Sequence, residues 1–383
     1  MRRYDLDWLR VIVFGLLIFY HVGMFFVPWT WHIKNNEFVE GLIYPMMFVN
    51  QWRLPILFVI SGMGTAFALS KKSGWQFAGE RVKRLLIPLL TGILLVVPPQ
   101  VYLERISTGG FSGSYFNFWP EYAFTGVYPE GNFSWHHLWF LPYLLFFSLV
   151  LIPVFLQIRK HPDSMILKGF RKLFSRWWAS FFLIIPLLMW ELLLRPAFPS
   201  THAFWGDWYN MARYSTLFLY GYLCISSGNS FWKAVSHNRY RYLLSGMLSF
   251  SLFLLVVAVA AKPWHLHALA VLRVVNMWLW IWCILGFASV LLNKSGKYLS
   301  YANEAVYPFY ILHQTITVTI GFFLMNLQWG FPVKFTVMVA GTFGITFLLY
   351  EGIIKRWPLM RLLFGLKNSP CSKIGSRSAV PCA

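Results

Sequence analysis

The sequence contains few charged residues, and acidic ones are especially scarce. Charged residues make up 12% of the 383 positions, with 13 aspartates and glutamates against 33 lysines and arginines. A typical soluble domain has about twice that charged fraction. Cysteine is also scarce, because only Cys224, Cys283, Cys371 and Cys382 are present and their spacing fits neither a disulfide framework nor a metal site. We therefore expect no ordinary soluble domain and no bound metal.

Signature motifs of three common enzyme classes are missing as well. The sequence has no G-x-S-x-G nucleophile elbow, no Walker A loop and no H-E-x-x-H zinc motif. Serine hydrolases, P-loop ATPases and zinc peptidases each depend on one of these motifs. The sequence therefore argues against all three classes.

Long apolar runs dominate what is present. Hydrophobic residues make up 58% of the chain, and a helix needs about 20 such residues to cross a bilayer. We predict an all-α, polytopic integral membrane protein of about ten transmembrane helices. The predicted spans cover residues 9–29, 54–70, 85–103, 138–158, 178–195, 211–228, 243–261, 270–292, 304–326 and 333–353.

The basic residues alternate between the predicted loops, which sets an orientation. Lysine and arginine crowd every second loop, and positive loops stay in the cytoplasm. Both termini are then cytoplasmic, with one membrane domain over residues 1–366 and a disordered cytoplasmic tail over 367–383. The net charge of +20 is explained by this topology and by anionic membrane lipids, so no nucleic-acid partner is expected. Because Arg10 interrupts the first apolar run, we expect the first helix to be retained rather than cleaved as a signal peptide.

The first predicted helix carries ionisable residues inside an apolar run. Arg10 and His21 are eleven residues apart, which returns to nearly the same helix face and spans about 16 Å along the axis. Asp7 lies on the same stripe, about one turn before Arg10. Ionisable groups at bilayer depth are costly and mark functional sites. Since an imidazole titrates near neutrality, His21 is suited to act as a general base, with Arg10 as its cationic partner.

Two arginines begin the third predicted helix. Arg81 and Arg84 are three residues apart, so they share one helix face and can hold a phosphate through forked hydrogen bonds. A cytoplasmic loop is expected to be basic in any case. Their location on the same side as Arg10 favours a phosphorylated ligand.

Other ionisable residues fall inside or beside predicted spans. Tyr310 and His313 lie one turn apart in the ninth span, and His137 begins the fourth. A buried histidine is more often a hydrogen-bonded structural residue than a catalyst, so His313 remains open between these roles. Arg53, Arg213 and Arg273 are further buried arginines, and Glu191 is expected to pair with Arg195 at i and i+4.

The longest predicted outer loop, residues 104–137, is unusually aromatic. It contains ten phenylalanines, tyrosines and tryptophans among several glycines. One interpretation is that the loop folds on the membrane interface as part of the aromatic belt. The other is that its rings form a platform that stacks against sugars.

The sequence resembles a known family, the membrane acyltransferase 3 family, over nearly the whole chain. Its members transfer acyl groups from acyl-CoA to extracytoplasmic carbohydrates. The matching motifs, in order, are LDWLR at 6–10 followed by His21, FVISG at 58–62, RVKR at 81–84, HLWFL at 137–141 and YILH at 310–313. Within the family, Thr30-Trp31-His32 and residues 58–62 indicate a subgroup that succinylates periplasmic glucans.

The resemblance implies roles for individual residues and a cellular location. His21 would be the catalytic histidine with Arg10 as its partner, and Arg81 and Arg84 would hold acetyl-CoA or succinyl-CoA. From their positions in the sequence, Asp7 is a further catalytic candidate and Arg53 a further donor-binding candidate. Tyr310, His313 and His137 are further site candidates. The enzyme would be a multi-pass protein of the bacterial cytoplasmic (inner) membrane, with an extracytoplasmic carbohydrate as acceptor. The alternative is a transporter or exporter of a small anion or glycan, because buried charges also line transport pathways.

Overall fold

The computed structural model describes residues 2–259 and 264–367. These residues form helices and connecting loops, with no β-strand in the described ranges and a single isolated bridge between Val127 and Phe133. The predicted all-α class is therefore confirmed. Positions 368–383, most of the predicted tail, lie outside the described residues.

In the described ranges, a long helical segment overlaps each of the predicted spans. These segments are α1 (Tyr4–Phe26), α2 (Ile43–Leu69), α3 (Gly74–Ser107), α4 (His136–Val150, continued by Ile152–Lys160), α5 (Trp177–Ala197), α6 (Trp208–Ser226), α7 (Arg239–Ala258), α8 (Trp264–Leu291), α9 (Leu299–Leu324) and α10 (Phe331–Ile354).

Most of these helices are long and apolar enough to cross a membrane. Seven helices of the described chain are long and apolar enough to cross a membrane, and α4, which bends by 48°, makes eight if its two halves count as one span. The helices α6 and α9 are not among these eight. A multi-pass helical membrane protein is thus supported, while the count of ten crossings stays a prediction.

The chain divides into two compact units. Unit 1 comprises the N-terminal residues to Val13 with Tyr44–Gly79 and Tyr143–Leu299, and unit 2 comprises Phe14–Ile43, Glu80–Pro142 and the chain from Ser300 onward. Helix α1 contributes residues to both units. Asp7 and Arg10 of this helix therefore belong to unit 1, whereas His21 belongs to unit 2.

The core of unit 2 packs the end of α1 against α9 and α10. Val22 and Phe25 are fully buried and pack with Val318 of α9 and Met338 of α10. Burying a large apolar side chain contributes about 1.5–3 kcal/mol relative to exposure in water. This cluster fixes the rotation of α1 about its axis, and so fixes where His21 points.

Two glycines allow α2 and α6 of unit 1 to meet through their backbones. A Cβ atom added at Gly62 would lie 1.9 Å from the carbonyl oxygen of Phe218, and one added at Gly221 would lie 2.0 Å from the carbonyl oxygen of Val59. Small residues permit this kind of close helix packing in membranes. The FVISG motif of residues 58–62 is therefore explained in part by packing.

Replacing Gly62 with alanine should strongly destabilise the protein. The clashing atoms belong to the backbone of α6, so no side-chain rotation relieves the overlap, and overpacking of this kind costs about 1–3 kcal/mol or more. The check is the thermal unfolding midpoint in detergent. The matched control is Gly79→Ala, because a Cβ there meets nothing within 4 Å. Equal unfolding midpoints for the two variants would contradict the packing argument.

Candidate active site

His21 of α1 and His313 of α9 form the centre of the site in unit 2. Nδ1 of His21 lies 2.7 Å from Nε2 of His313. The two rings stack with centroids 5.0 Å apart and planes inclined by 6°. His313 is fully buried. The structure thus brings together two of the histidines that the sequence singled out.

The backbone of α9 determines which ring nitrogens carry protons. Nδ1 of His313 lies 2.7 Å from the carbonyl oxygen of Tyr310, and a carbonyl oxygen can only accept. Nδ1 of neutral His313 therefore carries the proton, and its Nε2 accepts. His21 must then donate through Nδ1, which leaves Nε2 of His21 as the unprotonated nitrogen. This is the tautomer that a general base requires.

Tyr310 and His137 connect α9 to the beginning of α4. The hydroxyl of Tyr310 donates to the carbonyl oxygen of His137 over 2.6 Å, and Nε2 of His137 donates to the carbonyl oxygen of Ile311 over 2.9 Å. The ring of His137 also meets that of His313 edge-on, with centroids 5.2 Å apart. Both residues brace His313.

The segment after α1 folds back over the end of that helix. Lys34 donates to the carbonyl oxygens of Met24 and Val27 at 2.5 and 2.6 Å, which caps α1 in the way that basic side chains commonly do. Burial lowers the pKa of Lys34 to about 8. The fold-back places Trp31 over His21, with ring centroids 6.5 Å apart and planes inclined by 24°.

A second polar cluster, which the sequence did not indicate, lies in the same unit. Nδ1 of His32 lies 2.5 Å from Oε2 of Glu104, and the ring of His32 lies 4.3 Å from that of His136. Tyr128 donates to Oε1 of Glu104 over 3.0 Å. Burial first, and then the neighbouring Glu104 carboxylate, raise the pKa of the Tyr128 hydroxyl. The partners are distant in sequence, so no local motif could reveal them.

The aromatic outer loop is folded rather than extended. Arg105 donates to Oδ1 of Asn132 and to the carbonyl oxygens of Pro129 and Gly131, at 2.7–2.9 Å. Trp119 donates to the carbonyl oxygen of Leu94 in α3. Some rings nevertheless remain on the surface, and Phe116 is 87% exposed. The membrane-belt and sugar-platform interpretations both fit a folded loop with exposed rings.

Asp7 and Arg10 lie together in unit 1. Their side chains are 3.6 Å apart, and Arg2 also pairs with Asp7 at 2.8 Å. The guanidinium of Arg10 passes α2 at Gly64, where an added Cβ would lie 3.7 Å from Nη2. The two side chains that the sequence placed on one helix stripe therefore lie close together.

Arg81 and Arg84 lie at a break in α3. Arg81 ends a regular helical segment, and the π-helical turn Val82–Leu86 that follows contains Arg84. Such turns are frequent at functional sites. Arg84 is exposed and Arg81 half-buried, and both are close enough to Tyr307 of α9 to act on its hydroxyl electrostatically. The pair is thus open to a ligand from solvent.

The further arginines that the sequence singled out belong to unit 1. Glu191 pairs with Arg195, as predicted, and also with Arg273 of α8 at 2.8 Å, while the hydroxyl of Tyr209 donates to it. Arg53 is buried and lies 3.3 Å from Oδ1 of Asn50. Arg195 and Arg273 therefore form an ion-pair network around the buried Glu191.

Comparison with known proteins identifies relatives along the whole chain. Residues 3–351 match the family described as an acyltransferase domain. The curated relatives include glucans biosynthesis protein C of Escherichia coli strain SMS-3-5, of Escherichia coli strain K12 and of Shigella dysenteriae serotype 1 strain Sd197. Each is 25% identical to this chain, over 96% of it and 95% of the relative. No solved structure matches the chain. The family resemblance seen in the sequence is thus confirmed.

Proposed function

The chain belongs to the membrane acyltransferase 3 family, and from that premise we propose that it transfers an acetyl or succinyl group from cytoplasmic acyl-CoA to a hydroxyl of an extracytoplasmic glycan. That it is an acyltransferase follows from the family. The observation that supports the detailed proposal is the bond between His21 and His313, because it prepares His21 as a base.

The proposed reaction uses the Nε2 atom of His21. This nitrogen takes the proton of the acceptor hydroxyl as the oxygen attacks the thioester carbonyl carbon. The tetrahedral intermediate then collapses, the carbon–sulfur bond breaks, and the leaving thiolate takes the proton back from His21. His313 holds the positive charge of His21 in place by accepting from Nδ1 throughout. General-base catalysis of this kind contributes about 10²–10⁴-fold to a rate.

We assign Arg10 to the donor side of the reaction, with Asp7 orienting its guanidinium. A positioned cation stabilises negative charge that develops on a thioester or its phosphates. Arg81 and Arg84 would bind the phosphates of the CoA moiety, and Arg53 remains a candidate for the carboxylate of a succinyl group. The alternation of basic loops supports a donor that binds from the cytoplasmic side.

Neutralising Arg81 and Arg84 should raise KM for acyl-CoA by about tenfold or more with little change in kcat, because each charged hydrogen bond contributes about 1.5–3 kcal/mol. The variants are Arg81→Gln and Arg84→Gln, and the measurement is initial rate against donor concentration. The matched control is Lys83→Gln, which removes the same charge from an exposed position between them. Unchanged KM in both arginine variants would contradict the assignment.

We further propose that the chain crosses the inner membrane of a bacterium ten times, with both termini in the cytoplasm. The alternation of basic loops supports this arrangement. The acceptor class is supported by the relatives, whose name assigns them to glucan biosynthesis.

One experiment separates a transferase from a transporter. The purified protein is reconstituted into vesicles that contain β-glucan, and acyl-CoA labelled in its acyl group is supplied outside. A transferase yields label that is ester-linked to the glucan. Label that accumulates in the vesicles without any covalent attachment would replace the proposal with a transporter of a small anion.

A further inference from the structure

We propose that His32, Glu104 and His136 bind a divalent transition-metal ion of the Zn²⁺ type, which clamps together the two ends of the outer loop. One ligand atom of each residue lies within 4.8 Å of the other two. Two imidazole nitrogens and one carboxylate oxygen form a donor set that tetrahedral zinc uses, with the fourth position left for water. Neither Ca²⁺ nor Mg²⁺ fits this set, because both require mainly oxygen ligands.

The geometry needs only a small adjustment to close on an ion. Zinc binds nitrogen and oxygen ligands at about 2.0–2.2 Å, so two ligand atoms at a tetrahedral angle lie about 3.3–3.6 Å apart. Side-chain movements of about 1 Å bring the ligand atoms, which lie within 4.8 Å of one another, into that range and open the 2.5 Å contact between His32 and Glu104. The side chains of His32 and Glu104 are only 11% and 12% exposed, which protects the site from competing water.

His136 supplies an independent observation that points to a ligand. Its Nε2 atom is buried and has no hydrogen-bond partner among the described residues. Leaving such a nitrogen unsatisfied costs about 1–3 kcal/mol. The backbone of His136 is also left-handed, with φ of 39°, a conformation that non-glycine residues keep only where their surroundings impose it. A metal ion would satisfy the nitrogen.

Each candidate ligand also has a hydrogen-bond partner that can orient it, as metal ligands usually do. Oγ of Ser134 lies 2.9 Å from Nδ1 of His136 and accepts from that residue's backbone N–H. The hydroxyl of Tyr128 donates to Oε1 of Glu104, so Oε2 is the carboxylate oxygen that would bind the ion. The side-chain nitrogen of Gln314 lies 3.0 Å from Nε2 of His32. A half-turn of this amide exchanges its nitrogen and oxygen, and the oxygen would then accept the Nε2 proton of a metal-bound His32.

Binding of the ion should replace the hydrogen bond between His32 and Glu104. Without metal, Nδ1 of His32 donates to Oε2 of Glu104 over 2.5 Å. The ion takes the place of this proton, because metal ligands must be deprotonated, and the proton moves to Nε2 of His32. Glu104 and His136 flank residues 105–135, so the ion would hold both ends of that loop and attach them to the segment after α1.

The test uses the full-length protein in detergent, stripped with chelator and titrated with Zn²⁺ by calorimetry. We expect one ion per chain and at least 100-fold weaker binding by His136→Asn, a substitution chosen because asparagine tolerates the left-handed backbone. The control is His202→Asn, which makes the same exchange at another left-handed histidine.

A second readout follows the loop itself. Zn²⁺ should slow chymotrypsin cleavage near the exposed Phe116 at least fivefold in the wild type and leave the rate unchanged in His136→Asn. The proposal fails if the stripped wild-type protein binds no Zn²⁺ at micromolar concentration, or if His136→Asn binds it as tightly as the wild type. Neither measurement depends on acyl transfer, so the outcome is separate from that of the proposed function.

Discussion

Replacing His21 with alanine should lower the rate of acyl transfer by about 10³-fold or more while the protein stays folded. The variant loses the only base in the proposed reaction, and general-base catalysis accounts for up to about 10⁴-fold. Because the imidazole acts on the acceptor hydroxyl, KM for acyl-CoA should change by less than about threefold. The measurement is the initial rate of glucan acylation by purified protein at saturating donor.

A matched control separates catalysis from stability. His265 of α8 is also a buried histidine, and it belongs to unit 1, whereas the base and its partner belong to unit 2. His265→Gln should keep the wild-type rate to within about threefold. If His21→Ala unfolds at the wild-type temperature and still transfers at a tenth of the wild-type rate, His21 is not the base.

Replacing His313 with leucine should produce the second-largest loss, about 10²-fold in kcat. Leucine cannot accept the Nδ1 proton of His21, so the base loses the partner that fixes its tautomer and leaves a buried donor unsatisfied. KM for the donor should stay near the wild-type value, because His313 acts through His21. The measurement is kcat and KM from initial rates at varied donor concentration.

His313→Gln is the variant that distinguishes positioning from simple packing. Its side-chain oxygen can accept from Nδ1 of His21, so it should recover at least tenfold of the rate lost in His313→Leu. Both variants change the size of the side chain, and only one keeps an acceptor. Equal rates for the leucine and glutamine variants would contradict the positioning role of His313.

The sequence predicted the helices well because the bilayer imposes their length. The predicted spans 304–326 and 333–353 correspond to Leu299–Leu324 and Phe331–Ile354. The second span was predicted to begin at residue 54 and begins at Ile43. The first part of this helix contains polar residues such as Asn50 and Gln51, so a search for long apolar runs does not include it. Gln51 is nevertheless buried.

The sequence also predicted the residues of the site, but not their contacts. His21, Tyr310 and His313 stood out because ionisable and hydroxyl groups are rare in apolar helices. The His21–His313 bond depends on how α1 packs against α9, and local sequence carries no information on that packing. Arg195 was found as a partner of Glu191 through helical spacing, whereas Arg273 comes from a separate helix.

The polar cluster around Glu104 is a further case in which the local sequence does not reveal the contacts. His32 and Glu104 are 72 positions apart, and each lies in a segment whose sequence suggests only a loop or a helix end. Metal spacing was sought among cysteines and in short motifs, where ligands are close in sequence. Here the chain brings the candidate ligands together only after α1, α3 and α4 have formed.

The most direct test of the account follows a labelled acyl group through a single turnover. Purified protein is mixed with limiting acyl-CoA and excess glucan, quenched with acid, and the label on donor, protein and glucan is measured for the wild type and for His21→Gln. The account predicts that label passes from donor to glucan ester in the wild type and stays on the donor in the variant. Glucan ester formed by His21→Gln at a rate close to that of the wild type would contradict it.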